Sequence, residues 1–297
     1  MKNSYIYALG FFDGVHLGHL ALLKACRRLA DEAGCKAAAV TFSSHPDTLV
    51  LGKTPMLINT IEDRVQLLKD SGMDDVVVLP FDKKMQTLRW QDFLTFLRAQ
   101  YHAAGLVCGH DFRFGNRGEG NADLLAAYCK ENDMSFAVVP EQKLSGITVS
   151  STHIRSLLEK GELAEAGKFL GHPHILSGEV VSGRKLGRTL GIPTANLSIP
   201  EDVVQLPFGV YACKAAADGQ TYLAVTNIGN RPTVGGHRIT VEPWLLDFDG
   251  DLYGKNLTLS FYAFLRCEQK FPSLDALKEE ISKNAAQTRK FFENNAK

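Results

Sequence analysis

Short apolar runs alternate with longer segments of helical periodicity through the first half of the chain. The runs that predict buried strands cover residues 5–9, 36–42, 75–80, 105–109 and 135–139. The segments whose apolar positions recur at helical spacing cover residues 20–29, 61–69, 90–100 and 121–131. Because strands that are apolar throughout are buried on both faces, this alternation predicts an α/β domain with a parallel sheet covered by helices.

The pattern changes after about residue 172, where segments become short, extended and rich in turn residues. Leu257, Leu259 and Phe261 alternate with polar residues, which is typical of a half-buried strand. We therefore predict two domains, residues 1–172 and residues 173–297. The second is expected to be a small antiparallel barrel or sandwich.

The last predicted element is a long helix near the end of the chain. Ser273 is its candidate N-cap, because a serine oxygen accepts a hydrogen bond from the first helical turn. Leu274, Leu277 and Ile281 recur at helical spacing and form the predicted apolar stripe. We expect this helix to close the second domain.

Composition and charge narrow the classes of function. The chain has 297 residues, 45% of them hydrophobic, and its formal net charge is +0, which argues against general binding to nucleic acids or membrane surfaces. The six cysteines are scattered without a C-x-x-C pair, as expected of buried thiols in a reducing compartment. The N-terminus lacks a signal-peptide pattern and no apolar run is long enough to span a bilayer, so we expect a cytoplasmic protein.

The most informative motif follows the first predicted strand and opens the first predicted helix. A helix N-terminus presents unpaired backbone N–H groups that favour bound phosphate, two histidines add further donors, and two glycines allow close approach to the backbone. This combination favours a nucleotidyl-transfer site over the alternative that the histidines are caps or surface residues. The candidate residues are Phe12, Asp13, Gly14, His16, Gly18 and His19.

Two further loops of the first half carry candidate chemistry. Residues 109–116 combine aromatic, acidic and basic side chains with glycines, which suits a flat ring with a polar edge; the alternative is a loop that only flanks the core. The candidates there are Asp111, Phe112, Phe114 and Asn116. Residues 150–155 begin a helix with hydroxyls and an arginine that suit a triphosphate, and capping with a solvated arginine is the alternative. The candidates there are Ser151, Thr152 and Arg155.

A dense turn segment, residues 187–196, is the first candidate site of the second half. Backbone N–H groups around its glycines suit phosphate. The candidate nucleotide-binding residues are Gly187, Arg188 and Gly191. Thr194 and Asn196 offer neutral oxygens two residues apart on one side of an extended chain, which suits Mg²⁺ bound with a nucleotide. A structural turn between strands is the alternative.

Glu242 lies among apolar residues on a predicted strand. A carboxylate at such a position is able to accept a hydroxyl proton during phosphoryl transfer. The alternative is a buried structural glutamate, which is uncommon and needs a partner. Asp247, Asp249 and Asp251 alternate as calcium ligands do, but the rest of an EF-hand loop is missing, and we interpret them as turn and ladder residues.

Four motifs of the first half occur together in one order along the chain. They are F-D-G-x-H-x-G-H at 12–19, T-F-x-x-H-P at 41–46, G-x-D-F-R-F-G at 109–115 and S-S-T-x-I-R at 150–155. This half resembles the FMN adenylyltransferase module of bacterial bifunctional riboflavin kinase/FAD synthetases. Two positions depart from the common pattern, since Phe11 stands where asparagine is frequent and His153 where arginine is frequent.

That resemblance implies a Rossmann-like nucleotidylyltransferase domain. His16 and His19 are then expected to contact the ATP phosphates. The residues expected to complete the nucleotide site are Ser151, Thr152 and Arg155. The loop from Asp111 to Asn116 is expected to receive the flavin.

Five motifs of the second half also occur together. They are G-R-x-x-G-x-P-T-A-N at 187–196, G-V-Y-A at 209–212, N-I-G-x-R-P-T at 227–233, L-D-F-D-G-D-L-Y-G at 246–254 and L-R-x-E-Q-K-F at 265–271. This half resembles the riboflavin kinase module of the same enzymes, which implies a small antiparallel barrel. By resemblance, Thr194 and Asn196 hold Mg²⁺ with ATP, and Glu242 activates the ribityl 5′-hydroxyl.

Both resemblances together imply a bifunctional enzyme whose substrates are riboflavin, FMN and ATP. The second domain would make FMN and ADP, and the first would transfer AMP from a second ATP to FMN, giving FAD and pyrophosphate. One alternative is a nucleotidyltransferase for another substrate with an accessory barrel, and another is a non-catalytic flavin-binding regulator. Glu242 and the Pro-Thr-Ala-Asn turn at 193–196 argue against the first alternative, because an accessory barrel needs neither. The presence of His16, His19 and Glu242 argues against the second.

Overall fold

The chain divides into two compact units, which are described separately. The computed structural model describes residues 4–182, 191–233 and 236–295. One unit comprises the chain up to Leu57 together with Ile61–His153, and the other comprises Ile58–Thr60 and the chain from Ile154 onward. The domain boundary at residue 172 rests on the change in sequence pattern and stays a prediction.

The first unit is built on a five-stranded parallel sheet in the order β3-β2-β1-β4-β5. Its strands are β1 (Tyr5–Leu9), β2 (Lys36–Phe42), β3 (Asp75–Leu79), β4 (Ala103–Gly109) and β5 (Ser135–Val139), with a hairpin of β6 (Lys143–Leu144) and β7 (Ile147–Thr148). Its helices are α1 (Leu17–Ala33), α2 (Pro46–Val50), α3 (Ile61–Asp70), α4 (Lys83–Thr87), α5 (Trp90–Tyr101) and α6 (Ala122–Glu131). The predicted parallel α/β sheet is thereby confirmed.

Both faces of this sheet are buried, which explains why its strands are apolar throughout. Successive side chains of a strand point to opposite faces. Tyr7 and Leu9 of β1 accordingly belong to one core cluster, and Ile6 and Ala8 belong to the other. Helix α1 covers the second face. Because the turn to α1 follows the last residue of β1, it lies at the carboxyl edge of the sheet, where ligands bind in open α/β folds.

The second unit is a closed barrel with strand order β10-β11-β12-β9-β8-β13. The strands are β8 (His174–Val181), β9 (Asn196–Ser198), β10 (Gly209–Ala217), β11 (Gln220–Thr233), β12 (Gly236–Leu245) and β13 (Asn256–Cys267). The helices after β7 are α7 (Ser151–Glu159), α8 (Leu163–Leu170) and α9 (Leu274–Asn294). Leu257, Leu259 and Phe261 are all buried, which confirms the predicted alternation, and the closed strand order makes this unit a barrel and not a sandwich. No helix in the described ranges is both long and apolar enough to cross a membrane.

The closing helix α9 begins as predicted, and the predicted face is buried from its second turn onward, with Leu277 and Ile281 half-buried. The Ser273 side chain accepts a hydrogen bond from the Ala276 backbone N–H at 3.1 Å. The predicted apolar stripe was wrong at Leu274, which is 64% exposed. The helix residues that are buried are Asn284, Ala285 and Thr288. The reason is that α9 packs its C-terminal half against β10 and β11, so its first turn extends past the barrel.

A buried histidine makes the barrel sensitive to acid. His174 is 1% exposed, neither of its ring nitrogens has a hydrogen-bond partner among the described residues, and burial together with nearby His172 lowers its pKa to about 3. Between pH 6.5 and pH 3, the unfolded chain therefore binds a proton at His174 that the folded chain does not bind. The free energy of unfolding is highest above pH 6.5 and falls as the pH decreases toward 3. We expect the free energy of unfolding to fall by about 2–3 kcal/mol between pH 7 and pH 4.5 from this residue.

Denaturant titrations of wild type and His174→Leu over that pH range measure this contribution. The variant is expected to lose that part of the pH dependence, whereas the exposed-histidine control His102→Asn is expected to keep it. An unchanged pH dependence in His174→Leu would contradict the assignment.

Candidate active sites

The turn after β1 has a strained backbone. Phe12 has φ 61° and Val15 has φ 41°, in the left-handed region that non-glycine residues rarely enter, and Gly14 between them has φ 80°. Such conformations cost about 1–3 kcal/mol each and persist only where the surrounding structure holds them. The turn is buried over its whole length before α1 begins. Its buried residues are Phe12, Asp13, Gly14 and Val15.

His16 is the N-cap of α1, and its protonation state follows from that role. Its Nδ1 accepts a hydrogen bond from the His19 backbone N–H at 3.3 Å. An accepting Nδ1 carries no proton, so the proton of the ring lies on Nε2. A Cβ at Gly18 would lie 3.2 Å from the His16 ring, which is why glycine suits that position.

His19 stacks on His16 and is also neutral. The two ring centroids are 3.6 Å apart with an interplanar angle of 13°. Burial, followed by the neighbouring His16 and Arg64, lowers the pKa of His19 well below its usual value. Both imidazoles are therefore neutral hydrogen-bond donors at neutral pH, and the positive potential at this point comes from the N-terminus of α1 and from the Arg64 guanidinium.

A cleft of about 700 Å³ opens at the carboxyl edge of the sheet beside the histidines. It brings together seven of the predicted site residues of the first half. They are Phe12, His16, Gly18, His19, Asp111, Phe112 and Ser151. The Ser151 hydroxyl donates to the Asp13 carbonyl at 2.9 Å and so ties α7 to the strained turn. The backbone N–H of His153 donates to the Ser150 hydroxyl, so the first of the three hydroxyl residues in this segment caps α7.

A second cleft of about 950 Å³ adjoins the first and includes five phenylalanines in its lining. Phe112 and Phe114 stack with centroids 5.4 Å apart, and Phe42, Phe81 and Phe93 add further walls. Asn116 lines this cleft too, whereas Asp111, whose side chain is 82% exposed, lines only the first cleft. The predicted flavin loop thus lines both clefts: Asp111 lines the cleft beside the histidines, Phe114 and Asn116 line the apolar cleft, and Phe112 lines both.

Glu242 lies on the outer face of the barrel in β12. Val241, Pro243 and Leu245 alternate with it and are buried, while Glu242 is half-buried opposite Asn227 of β11. The pairing of β11 with β12 continues without a register shift through Pro243. The Pro243 carbonyl accepts from the Ala195 N–H at 2.9 Å, so the proline nitrogen faces that side and leaves the β11 ladder intact.

The row of residues that contains Glu242 continues across the barrel to α9. Asn227 pairs with Val210, and Val210 pairs with Arg266. Nε of Arg266 donates to the Asn284 side chain at 3.1 Å and lies 3.3 Å from a Glu280 carboxylate oxygen. These partners come from separate motifs or from no motif, so no local pattern indicated that they meet.

Thr194 and Asn196 lie on the same side of the segment that leads into β9. Both are half-buried, while Ala195 and Leu197, which alternate with them, are buried. Thr194 lines a small cleft of about 240 Å³ with the loop from Phe248 to Tyr253, and neither Asn196 nor Glu242 is among its lining residues. Gly191 is exposed, and Gly187 and Arg188 lie outside the described residues.

Two of the three alternating aspartates have structural contacts. The Arg289 guanidinium donates to both carboxylate oxygens of Asp247 at 2.8 Å, and the Tyr253 N–H donates to Asp251. Arg289 also holds the pKa of Asp247 below its usual value. Within the described ranges, no group of three or more His, Cys, Asp or Glu side chains is arranged to hold a metal ion.

Comparison with known proteins accounts for both units. A family model described as FAD synthetase matches residues 1–153, and one described as riboflavin kinase matches residues 170–292. The chain is 34% identical to the bifunctional riboflavin kinase/FMN adenylyltransferase of Listeria monocytogenes, covering 97% of this chain and 92% of the relative. The chain belongs to the bifunctional riboflavin kinase/FMN adenylyltransferase family.

Other relatives carry the same description, and one solved structure shares the fold. The Escherichia coli relative of the same description is 35% identical, covering 98% of this chain and 94% of the relative, and the Bacillus subtilis relative is 33% identical, covering 97% and 93%. A crystal structure described as a macrolide-efflux protein from Streptococcus pneumoniae superimposes with a TM-score of 0.84 at 29% identity, covering 97% of this chain and 95% of that one. The two-unit architecture is therefore shared over almost the whole length.

Several residues around the two clefts and the strained turn were not among the predicted site residues. The apolar cleft takes Val50 from α2 and Met85 from α4, and the turn is held by Thr41 and Arg64. Of these, only Thr41 belongs to a family motif. The others were missed because lining residues from short helices have no characteristic spacing.

Gly115 is expected to position the aromatic cleft. It has φ +76°, and a Cβ there would lie 2.8 Å from the Trp90 backbone nitrogen, closer than any real contact. Gly115→Ala should displace the loop that carries Phe114 and Asn116 and raise the KM for FMN in FAD formation by about tenfold or more, equivalent to about 1.4 kcal/mol of binding free energy.

Gly118→Ala is the matched control for that variant. Its φ is +67°, but its added Cβ would meet only Arg113 at an ordinary 3.6 Å. We expect a distinctly smaller effect, limited to a backbone cost of about 1 kcal/mol. Steady-state kinetics with FMN varied would measure both variants, and equal effects would rule out the Trp90 contact as the cause.

Proposed function

We propose that the chain makes FMN from riboflavin and ATP in its second unit, and FAD and pyrophosphate from FMN and ATP in its first. The support is that both family models match in the same chain, and that relatives covering nearly all of it bear both activities in their names. The observation that carries the proposal is the strained turn, because it sets two neutral imidazoles at a helix N-terminus beside an aromatic cleft.

In the adenylyl transfer, a phosphate oxygen of FMN attacks the α-phosphorus of ATP and pyrophosphate leaves. The reaction needs no protein nucleophile, so the site works by alignment and by stabilising charge. We assign His16 and His19 as N–H donors to the phosphates, with the backbone around Phe12, Asp13, Gly14 and Gly18 admitting the nucleotide. The residues proposed to complete the nucleotide site are Ser151, Thr152 and Arg155. The flavin is proposed to lie against Asp111, Phe112, Phe114 and Asn116.

In the phosphoryl transfer, the ribityl 5′-hydroxyl of riboflavin attacks the γ-phosphorus of ATP and ADP leaves. We assign Glu242 as the base that accepts the hydroxyl proton. Its place on the outer face of the barrel, in one row with Asn227 and Arg266, supports that role, because a base must reach substrate. The residues proposed to hold the ATP phosphates are Gly187, Arg188 and Gly191.

The kinase half is proposed to use Mg²⁺ held by Thr194 and Asn196. Their side-chain oxygens are neutral, half-buried and on one side of the chain, which fits an ion that keeps nucleotide oxygens and waters as its other ligands. When bound, the ion would neutralise charge on the transferred phosphoryl group. We further propose a cytoplasmic location, with small molecules as the binding partners and with neither nucleic acid nor membrane among them, in line with the net charge of +0.

A chromatographic time course of the purified protein with riboflavin, ATP and Mg²⁺ tests the proposal. FMN is expected first and FAD afterwards, and omission of Mg²⁺ is expected to stop FMN formation. Supplying FMN directly tests the first unit alone. No conversion of either flavin would overturn the proposed function, and FMN without FAD would overturn the half assigned to the first unit.

A further inference from the structure

Arg64 of α3 is a buried cation near the adenylyltransferase site to which the mechanism above gives no role. It is 1% exposed. Its guanidinium donates to the Phe11 carbonyl at 3.1 Å and to the Phe42 carbonyl at 2.8 Å. Burial lowers its pKa to about 10, with Asp13 and Glu62 opposing that shift, so the side chain stays charged at neutral pH. A buried charge of this kind is costly unless it is well bonded, which makes its position informative.

The two carbonyls that Arg64 binds lie at the carboxyl ends of adjacent strands. Phe42 is the last residue of β2, and Phe11 follows β1 and immediately precedes the left-handed Phe12. The Phe11 carbonyl also accepts a hydrogen bond from the Thr41 hydroxyl at 2.8 Å. Two side-chain donors therefore hold the peptide group from which the strained turn starts.

The Phe11 ring adds a third contact. The Arg64 guanidinium carbon lies 4.0 Å from the centroid of that ring, within cation–π range. The His45 ring meets Phe11 edge-on with centroids 4.5 Å apart, and His45 is itself the N-cap of α2. Arg64 thus joins the end of β1, the end of β2 and the start of α2 around one aromatic side chain.

We propose that Arg64 is a positioning residue for adenylyl transfer, clamping the ends of β1 and β2 so that the strained turn holds His16 and His19 toward the phosphates. The proposal rests on the adenylyltransferase function of the first unit. Without the clamp, the turn has fewer contacts to offset the cost of its backbone, and the imidazoles shift from their stacked arrangement. A misplacement of about 1 Å at a transfer site costs up to about 100-fold in rate.

Arg64→Met tests the clamp, because methionine fills similar space without donors or charge. We expect kcat for FAD formation from FMN to fall about 10- to 100-fold, with KM for ATP changed by less than about threefold. Arg64→Lys should recover part of the loss, since lysine retains the charge and donors. FMN formation from riboflavin by the same sample, and Arg28→Met at an exposed arginine of α1, are the controls expected to stay unchanged.

Rates are expressed per folded molecule, with folding checked by circular dichroism. A structural role alone would lower the folded fraction and leave kcat per folded molecule unchanged, which would overturn the proposal, as would a normal kcat in Arg64→Met. Thr41→Val removes the second donor to the Phe11 carbonyl with little change of volume, and we expect a smaller fall in the same kcat. If Arg64→Met does not fold, Thr41→Val and Arg64→Lys decide, and normal kcat in both overturns the clamp. Wild type inactive on FMN would instead overturn the proposed function.

Discussion

Glu242→Gln is expected to lower the rate of FMN formation from riboflavin by about 10²- to 10⁴-fold, the range for loss of a general base. Glutamine has nearly the same shape as glutamate, but its neutral carboxamide cannot accept the hydroxyl proton as the carboxylate does. The fold should be retained, because Glu242 lies on the outer face of β12 and the barrel core is formed by the residues that alternate with it.

The same variant should convert supplied FMN to FAD at the wild-type rate. Adenylyl transfer is assigned to the other unit, so this activity reports that the purified protein is intact. Glu179→Gln, at an exposed glutamate of β8 in the same barrel, is the matched control and should leave both rates unchanged. Initial rates measured by chromatography decide, and near-normal FMN formation in Glu242→Gln would remove Glu242 as the base.

His19→Ala is expected to stall the pathway at FMN, with FAD formation reduced by about 10²- to 10³-fold, as for the loss of one preorganised donor. FMN formation should continue at its normal rate. His102→Asn, at an exposed histidine at the end of α5, serves as the control for replacement of a histidine and should leave FAD formation unchanged. Near-normal FAD synthesis by His19→Ala would exclude His19 from the mechanism.

His19→Asn separates a neutral donor from a cation. The structure gives His19 a pKa well below its usual value, so its role at neutral pH is to donate a hydrogen bond and not to supply charge. Asparagine also donates a neutral N–H and should retain clearly more FAD formation than alanine does. If asparagine and alanine were equally inactive, simple neutral donation would not explain the role of His19.

Much of the fold could be predicted because its signals are local. The apolar runs gave β1, β2 and β5 within their observed bounds, and the alternation of Leu257, Leu259 and Phe261 indicated a strand of the barrel. A strand that is buried on both faces is a continuous apolar run, whereas a strand that is buried on one face alternates apolar and polar residues. Both patterns are recognisable within a single segment. The exposure of Leu274 in the first turn of α9 could not be predicted, because Leu274 satisfies the helical spacing and only the position of the barrel leaves it exposed.

The candidate sites show the same division. The H-x-G-H segment and Glu242 stood out because each combines unusual chemistry with a short, recognisable context. The long-range contacts that support them did not: Ser151 reaches Asp13 across 138 positions, and Arg64 reaches Phe11 across 53. No pattern within a single segment encodes contacts over such separations.

By itself, the sequence determined the kinds of domain, the order of their motifs and the residues that carry the chemistry. The tertiary structure alone decided the neutral state of His16 and His19, the division of the loop from Asp111 to Asn116 between two clefts, and the hold of Arg64 on the turn. The physical reason is that residue type and local spacing set what a side chain is able to do. Burial and contacts with residues from distant segments set the charge, the tautomer and the orientation of that side chain.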